Sequence, residues 1–119
     1  MRPKRERILF VCTANIDRSP TAEDLYAGDP RFEVLSAGTA PFATVPLNQR
    51  ILEWADRIFV MSERDDHHKS DILRRFPELK LNVIDLDIED RWYRGDPALE
   101  EILLQRLLPH LGLPQEDDR

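Results

Sequence analysis

The chain has 119 residues, 41% of them hydrophobic, enough for one core and one domain. Its 17 Lys and Arg against 23 Asp and Glu leave a net charge of −6, which argues against a nucleic-acid partner, since a phosphate backbone demands a basic face. A single cysteine excludes an internal disulfide and suits a reducing, cytoplasmic setting; no stretch has the length and apolarity of a signal peptide or membrane span, so no membrane association is expected. The basic start, Arg2, Lys4, Arg5 and Arg7, and the acidic end, Glu116 to Asp118, read as solvated runs, with residues 1–6 and 115–119 expected to be flexible tails.

In chain order, Ile8–Val11 is a continuous apolar run, as expected of a strand covered on both faces. Ser19 is expected to cap a helix with Pro20 at its first position, running to about Gly28. Phe32–Ala37 alternates in part and reads as an edge strand, followed by a loop from Ser36 to Pro41. Pro46 is expected to open a helix that buries Leu47, Ile51, Trp54 and Ala55. A second apolar run, Ile58–Met61, precedes Ser62, the expected cap of a helix with Arg74 and Arg75 at its negative end and Pro77 as its stop. Leu81–Leu86 reads as a fourth strand. Asp96-Pro97 starts the last helix, with Leu99, Ile102, Leu103 and Leu107 as its buried stripe and Pro109 as its end.

This alternation predicts an α/β three-layer sandwich on a four-stranded parallel sheet of order 2-1-3-4. The sheet then changes winding direction between its first and third strands. Ligands bind outside the carboxyl ends of strands at such a point, and Cys12–Ser19 lies there.

That segment carries the chemistry. A strand, a cysteine, five spacers and an arginine at a helix start make a pocket for a tetrahedral oxyanion. The backbone amides of Thr13, Ala14, Asn15, Ile16, Asp17 and Arg18 are expected to cradle the equatorial oxygens, and the Arg18 fork to hold two of them. The same positive field favours Cys12 as a thiolate nucleophile. Ser19 can also donate to the Cys12 sulfur, and Asn15 suits a left-handed mid-loop position. Asp17 is the unusual member of the loop: pointing inward it would repel phosphate and disfavour the thiolate, whereas pointing outward, as an alternating loop side chain can, it would have little effect.

At these residues the chain resembles the low-molecular-weight protein tyrosine phosphatases. Their signature reads Val-Cys-x-Gly-Asn-x-Cys-Arg-Ser-Pro; here it reads Val11-Cys12-Thr13-Ala14-Asn15-Ile16-Asp17-Arg18-Ser19-Pro20. The resemblance continues in Ser36-Ala37-Gly38-Thr39, in Ala55–Met61 and in Ile88–Tyr93. It departs at Ala14 and Asp17, which replace a glycine and a second cysteine, and in a shorter Ser36–Trp54 connection. The chain looks like a compact branch of that family. The resemblance implies a Rossmann-like phosphotyrosine phosphatase fold, loop support from Asn15, Ser19 and Ser36, and no metal or cofactor.

It also implies a general acid in the segment after the fourth strand. The family has Asp-Pro-Tyr-Tyr where this chain has Asp90-Arg91-Trp92-Tyr93, so Asp90 is the expected acid and Asp87 the alternative. Trp92 and Tyr93 either wall the pocket and stack on an aromatic substrate or simply pack. The expected reaction is hydrolysis of a phosphate monoester, protein phosphotyrosine foremost, through a cysteinyl-phosphate, releasing inorganic phosphate. The alternatives are a phosphatase of a small phosphomonoester or a phosphate- or phosphotyrosine-binding module without turnover. Phosphoarginine-cleaving members tend to carry Thr after the loop Asn; Ile16 favours an aromatic phosphate. The protein is expected to be monomeric or weakly self-associating. His67 and His68 read as a solvated helix face, and His110 lies near the tail.

Overall fold

The computed structural model describes residues 4–116. Strands β1 (Glu6–Cys12), β2 (Phe32–Gly38), β3 (Arg57–Val60) and β4 (Val83–Asp85) form one sheet of order β2-β1-β3-β4. All pairings are parallel, with Cys12 opposite Gly38 and Val11 opposite Val60. The predicted order and direction are both present.

The two central strands are buried on both faces, and their alternation divides the core in two. Ile8, Phe10, Cys12, Phe59 and Met61 pack with Ala22 and Tyr26 of α1 (Arg18–Tyr26) and with Leu99, Leu103, Leu107 and Leu111 of α5 (Pro97–Leu111). Leu9, Val11, Ile58 and Val60 pack with Leu52 of α2 (Gln49–Trp54), with Leu47 just before it, and on the same side with Ile72 of α4 (His68–Arg75). The sheet is therefore the middle of three layers, and Cys12 sits at its carboxyl edge on the α1/α5 side.

Several boundaries differ from the sequence expectation for physical reasons. Asp17, not Ser19, occupies the cap position of α1, because the preceding loop turns into the helix at Arg18. Asn48, not Pro46, caps α2: its side chain accepts from the Ile51 amide, while Pro46 bridges to Gly38. The helix after Ser62 breaks into α3 (Glu63–Asp66) and α4, because His67 takes a left-handed conformation with φ of 55°. Strand β4 is confined to three residues. Helix α5 runs through Pro109 to Leu111 and stops at Gly112, which adopts φ of 69°. A proline in the last turn forfeits one hydrogen bond, and the burial of Leu111 carries the helix past it.

The expected tails are partly structured. Glu6 opposes Phe32 in the sheet and holds the Arg57 guanidinium at 2.5 and 2.8 Å. Arg7 lies in β1, where its amide donates to Asp56. The Gln115 amide donates to Asp29. Residues 1–3 and 117–119 of the expected tails lie outside the described residues.

Candidate active site

Strand β1 ends at Cys12 and α1 begins at Arg18, so a five-residue loop spans the carboxyl edge of the sheet. Its carbonyls face a neighbouring loop: the amides of Thr39, Ala40 and Thr44 donate to Cys12, Thr13 and Ala14 at 2.9–3.1 Å. Among the described residues, the amides of Thr13 to Arg18 make no such bonds elsewhere in the chain. A loop whose first carbonyls are occupied on one side while its amides are free is suited to an anion. The close approach depends on Gly38, since a Cβ there would lie 2.4 Å from the Thr13 carbonyl oxygen and 2.6 Å from the Ala43 Cβ.

Asn15 holds the loop from within. It is buried with φ of 57°, the left-handed conformation that Asn tolerates best after Gly. Its amide donates to the Ser19 and Ser36 hydroxyls, both at 2.9 Å, and its oxygen accepts from the Val45 amide at 3.1 Å. Glu23 accepts from Ser36 in turn. The Ser19 hydroxyl lies 3.0 Å from the Cys12 sulfur. Its role is thus inside the loop, at the thiol, rather than at the helix cap.

Arg18 is 1% exposed, and a buried guanidinium needs partners. Its Nη1 donates to Asp66 and to the Ile88 carbonyl, both at 2.9 Å. Its Nε is buried without a hydrogen-bond partner, 3.7 Å from an Asp90 carboxyl oxygen. The Asp90 side chain is 62% exposed. Cys12, Ala14, Ile16, Asp17, Arg18 and Asp90 line one small cavity of about 60 Å³. A larger depression along α5, lined by Pro97, Leu104, Leu108 and Leu113, holds no nucleophile.

Asp87, the alternative acid, and the neighbouring Asp85 and Asp96 have partners elsewhere. Asp85 accepts from the amides of Glu63 and Asp87. Asp87 lies beyond β4 rather than in it, adopts φ of 55° and pairs with Arg64 at 3.2 Å, away from the cavity. Asp96 caps α5 by accepting from the Ala98 amide.

No protein-family model matches the chain. It is 30% identical to a protein-arginine-phosphatase of Geobacillus stearothermophilus, over 92% of this chain and 98% of that one. The solved structure of an arginine phosphatase from the same organism superposes with a TM-score of 0.68 at 29% identity, covering 89% of this chain and 92% of that one. A low-molecular-weight protein tyrosine phosphatase from T. tengcongensis shares the fold, with a TM-score of 0.67 at 23% identity over 89% of this chain and 99% of that one. The chain belongs to the low-molecular-weight protein tyrosine phosphatase family. It is accordingly a cysteine-dependent phosphatase, and its substrates are phosphorylated.

Within that family framework, two placements depart from the sequence reading. His68 is fully buried, not solvated. Its Nδ1 accepts from the Ser62 amide at 3.0 Å, so the neutral ring carries its proton on Nε2, 2.8 Å from the Thr13 hydroxyl. Burial, and then the nearby Arg18 charge, push its pKa down to about 4, so the ring is neutral at pH 7. His67 does remain on the surface. Second, Tyr93 is 83% exposed and Trp92 packs against the α1/α5 core; neither lines the cavity. For Asp17, whose direction the sequence left open, the carboxylate accepts from the Arg94 backbone amide at 3.0 Å.

Asp66 and His68 are the residues the sequence reading missed. Both sit in a run of charged residues with no apolar period, and only the break at His67 turns His68 inward. Among the described residues, no cluster of His, Cys, Asp and Glu could hold a metal ion, and no helix is long and apolar enough to cross a membrane.

Proposed function

We propose that this phosphatase acts on protein phosphotyrosine, with Cys12 as nucleophile, Arg18 and the amides of residues 13–18 as the anion cradle, and Asp90 as general acid. The observation that carries the reading is the unpartnered, buried Arg18 Nε in the same small cavity as the Cys12 thiol and the Asp90 carboxyl. A phosphate oxygen there would satisfy the guanidinium and the free loop amides together. The Cys12 thiolate attacks phosphorus in line, the P–O bond to the leaving group breaks, and that oxygen takes the Asp90 proton. Ionised Asp90 then takes a proton from water, which cleaves the P–S bond and releases inorganic phosphate. Ser19 donates to the sulfur when it leaves as thiolate; Asn15 and Ser36 hold the loop.

Ile16 supports the aromatic substrate. It lines the cavity and is 57% exposed, an apolar contact at the rim for a ring. Phosphoarginine is the second reading. It is favoured by the names of the similar proteins and by two rim carboxylates, Asp17 and Asp90, to which a guanidinium leaving group could donate. Comparison of kcat/KM on a phosphotyrosine and a phosphoarginine peptide separates the two. Preference for phosphotyrosine, weakened in Ile16→Thr, supports the first; preference for phosphoarginine by wild type overturns it. Either activity must vanish in Cys12→Ser, and Asp90→Asn must slow phenyl phosphate more than p-nitrophenyl phosphate. The chain is further proposed to work as one cytoplasmic domain, monomeric or weakly self-associating, with no nucleic-acid or membrane partner.

A further inference from the structure

Asp90 sits in a span whose two ends are anchored differently. At one end Ile88 is buried; its amide donates to Met61 at 2.6 Å and its carbonyl accepts from Arg18 at 2.9 Å. At the other end, Arg94 and Gly95 are fastened to α1. The Arg94 amide donates to Asp17 at 3.0 Å and the Gly95 amide to the Thr21 hydroxyl at 3.1 Å. The Arg94 guanidinium grips both oxygens of Asp24 at 2.9 and 2.8 Å. Asp17, Thr21 and Asp24 are spaced by four and then three residues, which puts them on one stripe of the helix. Thr21 can accept from Gly95 because its own proton goes to the Asp17 carbonyl, at 2.6 Å. Between these anchors, Glu89 to Tyr93 carry the acid.

We propose that Asp17 is a positioning residue: with Thr21 and Asp24 it latches the far end of the acid-bearing segment to α1 and thereby holds the Asp90 carboxyl over the cavity. The inference rests on the reading of Asp90 as proton donor. It accounts for a carboxylate within an anion loop, because the charge is spent on a backbone amide at a helix N-terminus, where a negative charge is favoured. It also couples the two halves of the site, since Asp17 belongs to the phosphate loop by its backbone and to the acid segment by its side chain. Besides these bonds, Trp92 packs on the core and the Tyr93 carbonyl accepts from the Asp96 amide at 3.1 Å, while the Tyr93 ring is exposed and Arg91 pairs with Glu89 and stacks on Trp92, so no other side-chain hydrogen bond ties the segment to α1 among the described residues.

The test compares wild type with Asp17→Ala, Asp17→Asn and Asp24→Ala by two independent readouts. The first is amide hydrogen exchange at Arg94 and Gly95, which reads the latch without reference to activity. The second is kcat/KM on phenyl phosphate, a poor leaving group, against p-nitrophenyl phosphate, a good one. In Asp17→Ala the two amides should exchange at least about tenfold faster. Phenyl phosphate turnover should fall about tenfold, because a misplaced acid matters most when the leaving oxygen needs its proton, and p-nitrophenyl phosphate turnover should fall far less. Asp17→Asn should rescue most of both effects, since its side-chain oxygen can accept the same bond. Asp24→Ala, an exposed change outside the loop, should give a milder form of the same pattern.

Unchanged exchange in Asp17→Ala overturns the latch, as does an equal loss on both substrates. So does Asn behaving like Ala, which would mean that the charge and not the bond matters. Asp90→Asn separates the layers. If it lacks the leaving-group signature, the acid assignment fails and the catalytic purpose of the latch fails with it. If it shows the signature while Asp17→Ala does not, the latch alone is wrong.

Discussion

Acid should loosen this protein through His68 before its carboxylates begin to matter. The ring is buried against Thr13 and Ser62, and burial together with Arg18 holds its pKa at about 4, against 6.5 in an unfolded chain. Above pH 6.5 both states hold a neutral ring and the group has no effect on stability. As the pH falls below 6.5, the unfolded chain takes up a proton that the native state cannot accept until about pH 4. Stability therefore drops on acidification, at up to about 1.4 kcal/mol per pH unit and about 3 kcal/mol in all by pH 4. That is a large share of the 5–15 kcal/mol typical of a domain. Glu63, held below its ordinary 4.5 by the Ser70 hydroxyl and amide, contributes its loss only lower down. Urea midpoints at pH 7, 6 and 5 give the slope, with m constant as the control for two-state behaviour. His68→Asn is the comparison, since its side-chain oxygen can replace Nδ1 as acceptor for the Ser62 amide but does not titrate. The variant should start lower at pH 7, having lost the Thr13 contact, and then stay nearly flat to pH 5 while wild type declines. Parallel curves for the two proteins would refute the argument, because the acid sensitivity would then lie in other groups.

Arg18→Lys keeps a positive charge but loses the planar fork, and kcat/KM should fall by the equivalent of about 2–4 kcal/mol, the cost of removing one preorganised donor group; near-wild-type kinetics would sink the cradle assignment. Gly38→Ala should cost about 1–3 kcal/mol in thermal or urea unfolding and depress turnover, because its Cβ would press on the Thr13 carbonyl and on Ala43; a neutral outcome would show that the 39–44 loop can retreat freely. Peroxide without added thiol should carry Cys12 past sulfenic acid to sulfinic acid, since the chain has no second cysteine to trap the intermediate. Mass spectrometry of the Cys12 peptide should then show added dioxygen mass that late dithiothreitol does not reverse. Full reversal after long exposure would point to another protective reaction.

What the sequence by itself determined here is what neighbouring residues decide among themselves. The apolar runs Ile8–Val11 and Ile58–Val60 mark strands buried on both faces, and the helices between them leave a parallel sheet of order β2-β1-β3-β4 as the economical arrangement. Ser62 and Asp96 cap their helices through bonds three and two residues away, so they too are legible locally. The same holds for Asn15, whose left-handed backbone and bond to Ser19 lie within one loop. Where the chain's local signals competed, the core decided: Leu111 drew α5 past Pro109, and the turn into Arg18 moved the cap from Ser19 to Asp17.

Only the tertiary structure could decide the partners of the site, because they are distant in sequence and chosen by packing. His68 meets Thr13 across 55 positions, Asp66 meets Arg18 across 48, and Asp17 meets Arg94 across 77. A run such as Asp65-Asp66-His67-His68 looks like a solvated face until one left-handed residue turns part of it inward. The opposite happened at Trp92 and Tyr93, whose aromatic character suggested a pocket wall. Trp92 found the core and Tyr93 found solvent, a division set by packing against elements distant in sequence and not by aromatic character.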